Sequence, residues 1–205
     1  MHRFLIIILS LILGLLLVVL GFVIVNKDRR GAVLQTSPIV AQNFGGDFTL
    51  TNHKGEQVTQ ENFKDKWRLI YFGFTYCPAI CPTELQKITQ VLDGLGNIGK
   101  SIIPIFITVD PERDTVNIMK NYVSLFHDAF IGLTGTPQQI KTVKDAYKIY
   151  AAKVQDDTMN DYTVDHSSYI YFMNPNNDLV RIFKIDDTAQ DMIDFIKPYQ
   201  AGFVK

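Results

Sequence analysis

The chain is poor in cysteine, carries no basic excess and contains no repeats. Only two cysteines occur among its 205 residues, and neither lies near the end of the N-terminal apolar run, which excludes a lipid-modified anchor. Residues 1–30 hold four of the 20 Lys and Arg and one of the 21 Asp and Glu, so the remainder carries a net charge of −4. A mildly acidic domain without a basic run has nothing to offer a phosphate backbone, and nucleic acid is excluded as a partner. No internal repeat or low-complexity tract appears. The roughly 160 residues beyond the N-terminal region suit one domain with its own core.

What is present begins with an apolar run from Phe4 to Val25, broken only by Ser10, Gly14 and Gly21. At about 1.5 Å per residue it spans roughly 33 Å, enough for a bilayer core. It is longer than the ~7–15 apolar residues of a cleaved signal peptide and leads directly into Asn26-Lys-Asp-Arg-Arg30. The expectation is an uncleaved anchor over residues 1–25, a linker over 26–42 and a folded domain over 43–205. Counting Lys and Arg alone would leave the domain in the cytoplasm; the thiol chemistry below favours the opposite face.

Along the domain, Phe48 to Thr59 reads as a hairpin turning at Asn52-His-Lys-Gly55. Trp67 to Phe74 is an almost continuous apolar run, the pattern of a strand buried on both faces. A helix is expected from about Pro82 to Leu95, and a second buried strand over Ser101 to Val109, with Pro104 awkward within it. Asp110 to Thr115 should be a loop and cap before a helix reaching about Phe126. Phe130 to Leu133 reads as a short strand. Thr136-Pro137 opens a helix to about Tyr150. Val154 with its neighbours, and Ser168 to Met173, read as strands around a polar excursion, Gln155 to Tyr162. Asn174 to Asp178 is a turn, Leu179 to Ile185 a strand, and Asp187-Thr188 caps a last helix. Strands alternating with helices suit an α/β fold, a central mixed sheet flanked by helices. Two cysteines between a buried strand and the next helix make the arrangement thioredoxin-like.

Both cysteines fall in Phe74-Thr-Tyr-Cys77-Pro-Ala-Ile-Cys81-Pro-Thr-Glu84. Residues four apart in a helical turn have Cβ atoms roughly 5–6 Å apart, so two sulfurs can share one soft metal ion or close into a disulfide. Unpaired N–H groups at the helix start favour a thiolate, and paired thiolates suit copper(I). Imidazole is the natural third ligand. Of four histidines, His2 belongs to the anchor, His53 to a surface turn and His127 to a helix end. His166, in Val164-Asp-His-Ser-Ser-Tyr169, precedes a β-rich run; residue types and spacing leave it open between a ligand and a hydrogen-bonded loop histidine. Asp110 is open between a place near the metal and a turn, and Asp165 between orienting His166 and facing solvent.

Three segments together resemble the Sco/SenC family, copper chaperones for cytochrome c oxidase assembly. Thr75-Tyr-Cys77-Pro-Ala-Ile-Cys81-Pro is similar to its T-x-C-P-x-x-C-P signature, Val109-Asp-Pro-Glu-Arg-Asp-Thr115 to its V-D-P-E-R-D-T segment and Val164-Asp-His-Ser to its V-D-H-S segment. They occur in family order across roughly residues 43–200, in a family that also carries an N-terminal anchor. Many members have His and Asp where this chain has Tyr76 and Ala79. The resemblance implies copper ligation by Cys77, Cys81 and His166. It also implies delivery of one copper ion to the binuclear centre of cytochrome c oxidase subunit II, with other copper chaperones as partners. It implies no enzyme activity beyond an accessory thiol–disulfide exchange.

Two rival functions use the same thiols. A thiol–disulfide oxidoreductase keeping the target's cysteines reduced would need no His166, and such enzymes normally carry C-x-x-C rather than C-x-x-x-C. A peroxiredoxin-type peroxidase is excluded: its P-x-x-x-T-x-x-C pattern fails, with Thr75 two residues before Cys77 and Tyr71 where a proline belongs. The apolar run begins at residue 4, leaving no room for an Arg- and Ser-rich presequence. The expected location is therefore a bacterial inner membrane, crossed once, with the domain in the periplasm.

Overall fold

The sheet is entered through the expected hairpin. In the computed structural model, which describes residues 14–17, 44–155 and 161–201, β1 (Thr49–Asn52) and β2 (Gln57–Thr59) pair antiparallel. Asn52 builds the turn: its Oδ1 accepts from the backbone N–H of Lys54 and Glu56 at 2.9 and 3.0 Å, and Gly55 takes φ +86°, where a side chain would be strained.

β3 (Trp67–Gly73) is buried at every position, as the apolar run predicts. Its one charged residue, Arg68, is held by the 174–178 turn through its two terminal nitrogens, donating to Asn177 Oδ1 at 2.5 Å and to the Asn174 carbonyl at 2.6 Å. The chain then passes through the cysteine turn into α1 (Ile80–Leu95). This helix starts two residues earlier than Pro82, which puts Cys81 inside its first turn. Pro82 is tolerated there because the first N–H groups of a helix have no intrahelical partner to lose.

β4 (Ile102–Thr108) pairs parallel with β3 from Trp67↔Ile102 to Gly73↔Thr108. Pairing on the other side of β4 starts only at Ile105, so at Pro104 the strand is still an edge, the place where a sheet tolerates proline. α2 (Val116–Val123) is capped by Thr115, whose side chain accepts from Ile118 N–H. β5 (Ile131–Thr134) leads to α3 (Pro137–Ala146), opened by the Thr136/Gln139 capping box with Pro137 in its first turn. Both helices stop short of the expected ends at Phe126 and Tyr150; after α3 the backbone turns left-handed at Lys148, φ 56°.

The strand expected around Val154 is β6 (Ala151–Gln155); it pairs antiparallel with a strand the sequence reading does not contain, β7 (Tyr162–His166), as a two-stranded ribbon separate from the main sheet. His166 is thus the last residue of a strand, paired with Ala151, and not a loop residue. β8 (Ile170–Met173) and β9 (Leu179–Phe183) return to the sheet, and α4 (Ala189–Ala201) closes the chain. Thr188 and Asp191 bond each other's backbone N–H at the start of α4.

The seven-stranded order is β2-β1-β5-β4-β3-β8-β9, with β3, β4 and β5 parallel and the flanking pairs antiparallel. This is the mixed sheet flanked by helices that the element order predicts. Among the described residues no helix is long and apolar enough to cross a membrane. The anchor expected over residues 1–25 and the linker over 26–42 lie outside the described residues, apart from the helical 14–17.

Candidate metal centre

Parallel strands β3 and β4 end side by side, and the site is built where they stop. After Gly73, whose carbonyl accepts from Val109 N–H at 2.8 Å, the chain turns through Thr75 to Cys77. Asp114 pins this turn. It is fully buried, and its carboxylate accepts from the Thr75 hydroxyl at 2.5 Å, from Thr75 N–H at 3.1 Å and from the Thr108 hydroxyl at 2.5 Å. Its own carbonyl accepts from Thr134 Oγ1 at 2.7 Å. Burial pushes the Asp114 carboxyl upward, and the threonine donors oppose that shift. The motif around the cysteines and the Val109–Thr115 motif are therefore one structure, joined at Thr75 and Asp114. Sequence reasoning gave Asp114 no role; the only signal was its place in the second motif.

Cys77 lies before α1 and Cys81 within its first turn, so the pair straddles the helix start. Cys77 Sγ accepts from Cys81 N–H at 3.3 Å, filling one of the orphan donors of the helix N-terminus. Cys77 is 8% exposed and Cys81 fully buried. The room for Cys81 comes from Gly73: a Cβ there would stand 2.8 Å from Cys81 Sγ, closer than the two atoms can approach. Any larger residue must displace the sulfur.

The thiols are electrostatically unequal. A hydrogen bond from Cys81, aided by the backbone N–H groups of Cys81 and Ala79, pulls Cys77 down to about 4 against the effect of burial. The hydrogen bond to Cys77, together with burial, pushes Cys81 up. Cys77 is thus the thiol of the pair that ionises first.

His166 arrives from the ribbon. Its Nε2 lies 3.4 Å from Cys81 Sγ, and its Nδ1 lies 3.1 Å from the Ser167 carbonyl. A carbonyl only accepts, so Nδ1 carries the proton and the Nε2 lone pair faces the sulfurs. Tyr71 and Phe74 meet the ring edge-on at 6.1 and 5.8 Å and limit its rotation. The Tyr71 hydroxyl is also 3.9 Å from Cys81 Sγ. Cys77 Sγ, Cys81 Sγ and a ring nitrogen of His166 all lie within 4.8 Å of one another. Bonds of about 2.0–2.3 Å to a shared ion would put such donors roughly 3.5–4.6 Å apart, so the donor set fits one ion after a small contraction. Two sulfurs and an imidazole form a soft set.

The other candidates are resolved by their partners. Asp110 is buried, and its carboxylate is taken by Arg113 Nε at 2.5 Å and the Tyr162 hydroxyl at 2.8 Å. Asp165 is exposed on β7, and the group on His166 Nδ1 is the Ser167 carbonyl instead. His53 Nδ1 accepts from Gly132 N–H at 3.1 Å and His127 Nδ1 from Ala129 N–H at 3.0 Å, both structural roles.

Comparison with known proteins agrees with this geometry. Residues 36–201 match the SCO1/SenC family. The chain is 44% identical over 154 residues to the SCO2-like protein of Rickettsia felis, covering 75% of each. Its fold is similar to the crystal structure of Arabidopsis thaliana ScoI with copper bound: 40% identity, TM-score 0.74, 78% of this chain and 99% of that one. It is also similar to BsSco, a member of the Sco family of cytochrome c oxidase assembly proteins in which a disulfide switch is identified. There the identity is 25% and the TM-score 0.62, over 82% of this chain and 98% of that one. A family match across most of the chain, with relatives at this identity, makes this protein a member of the SCO1/SenC family.

Proposed function

We propose that the protein is a copper chaperone of cytochrome c oxidase assembly, holding one copper ion on Cys77, Cys81 and His166. The observation that carries the reading is the convergence of two sulfurs and one imidazole nitrogen within 4.8 Å, from the turn, the helix and the ribbon. The copper-bound ScoI relative supports the choice of metal. Thiolate ligands favour copper(I). The Cys81 proton must leave when the ion enters, so loading is coupled to proton release. In this reading the task of the site is to hold and release the ion. Its recipient is the binuclear copper centre of oxidase subunit II, and other copper chaperones supply it. The full chain in detergent, reduced and given excess copper(I), is expected to retain one copper per chain after desalting. Retention of none overturns the reading.

Residues 1–25 anchor the domain, 26–42 lift it from the bilayer, and 43–205 carry the copper site on the periplasmic side of a bacterial inner membrane. A phosphatase reporter that needs an oxidising compartment, fused after Lys205, is expected to be active. If a cytoplasmic reporter is active there instead, the orientation is reversed.

A second reading has its own observation. Cys77 Sγ accepts from Cys81 N–H at 3.3 Å and is the thiol whose ionisation is favoured, the arrangement from which a dithiol attacks a disulfide, and the disulfide switch of BsSco is in keeping with it. In this reading the same pair keeps the cysteines of the target reduced.

A further inference from the structure

The ribbon that carries His166 lies outside the main sheet, so something other than sheet hydrogen bonds must fix its position over the cysteine turn. At the His166 end the ribbon is held by Ser167 N–H to the Tyr150 carbonyl at 3.0 Å and by Tyr150 N–H to Ser167 Oγ at 3.1 Å. At the other end stands Arg113. Its Nε binds Asp110 Oδ2 at 2.5 Å, and its Nη1 binds the Tyr162 carbonyl at 2.9 Å and Asp161 Oδ2 at 3.3 Å. The guanidinium also lies over three rings: Tyr162 of the ribbon at 3.8 Å, and Tyr76 and Phe74 of the cysteine turn at 5.0 and 5.8 Å. The Tyr162 hydroxyl returns to Asp110 Oδ1 at 2.8 Å. One side chain thus touches both ligand-bearing segments and the buried carboxylate between them.

We infer that Arg113 is a positioning residue for His166, clamping the free end of the ribbon to Asp110 and to the cysteine turn so that the imidazole faces the two sulfurs. This rests on the copper reading above. From Tyr162 to His166 is about 13 Å at roughly 3.3 Å per residue. The ribbon keeps its Lys153–Glu112 ion pair at 2.6 Å and its buried Val164, so releasing the Tyr162 end shifts the strand without freeing it. That is enough to misplace the ring at its tip, because a metal site tolerates only about 0.5 Å and 10–20° of misplacement. A planar fork is needed to bind Asp110 and the Tyr162 carbonyl at once while lying over the Tyr162 ring at 3.8 Å. Lysine keeps the charge and loses both features.

The test is a double-mutant cycle on the reduced full chain in detergent, reading copper(I) affinity by competition with a chromophoric chelator. Arg113→Lys and, separately, Tyr162→Phe are combined with His166→Ala. Arg113→Lys is expected to lower affinity about tenfold in the wild-type background, the scale of an outer-shell partner, with Tyr162→Phe smaller. Acting only through the imidazole, both should change affinity by less than about twofold once His166 is alanine. The copper(II)-loaded Arg113→Lys protein should also show weakened nitrogen hyperfine coupling in its paramagnetic resonance spectrum. Equal losses in both backgrounds, or no loss in either variant, overturn the inference and leave the copper site standing. Wild-type protein that binds no copper overturns the functional reading, and this inference with it.

Discussion

Replacing either cysteine by serine is expected to abolish copper(I) retention while leaving the domain folded. The ion would be left with one thiolate, an imidazole and a hydroxyl, and a neutral hydroxyl is a hard, weak donor for a soft cation. Loss of an outer-shell group alone lowers metal affinity about 10–100-fold, and loss of a thiolate ligand should exceed that. The folding cost is small by comparison. In Cys77→Ser the new oxygen can accept the Cys81 N–H that Cys77 Sγ accepts now at 3.3 Å. In Cys81→Ser the hydroxyl replaces a fully buried sulfur next to the Tyr71 hydroxyl, with a penalty of order 1–3 kcal/mol if it stays unpaired. Copper retained at one per chain by either variant, measured beside an unchanged circular dichroism spectrum, would remove that cysteine from the ligand set.

Much of this site is legible in the sequence, because its parts obey local rules. The Trp67–Gly73 run had to be a central strand, and a strand that ends in a cysteine turn before Pro82 had to present the thiols at a helix start. Pro104 looked out of place only because a sequence does not say that β5 begins pairing at Ile105. The second strand of the ribbon was the real loss. The neighbourhood of Val154 reads as a strand, but β7 carries Asp165 exposed with Tyr162 and Thr163 only half-buried, and its strand pairing is with β6 and not with the main sheet. Little in its hydropathy therefore separates it from a polar loop. Asp114 and Arg113 were hidden for a different reason. Their roles depend on Thr75, 39 residues away, and on Tyr162, 49 residues away, and a single sequence does not print such pairings. The motif containing both was visible as a motif, while its physical task, tying the cysteine turn and the ribbon to the same end of the sheet, became readable only in three dimensions.

His166→Ala separates copper delivery from thiol exchange, because it removes the imidazole and leaves both sulfurs where they are. The backbone pairing of residue 166 with Ala151 does not need the side chain, and the Cys77–Cys81 contact is made without it. Reaction of the pair with a disulfide probe should therefore change little. Copper(I) affinity should fall about 10–100-fold, less than for a lost cysteine, since two thiolates can still hold copper(I) between them while the third position is left to water. In cells lacking the native protein, a chaperone whose ion is held that much more weakly should fail to restore cytochrome c oxidase activity. A reductase would restore it as well as wild type does. Full rescue by His166→Ala, set against no rescue by Cys77→Ser, would mean that the thiols act in redox exchange alone and that the imidazole beside them is incidental. Failure of both variants, with disulfide exchange intact in the first, assigns the task to copper.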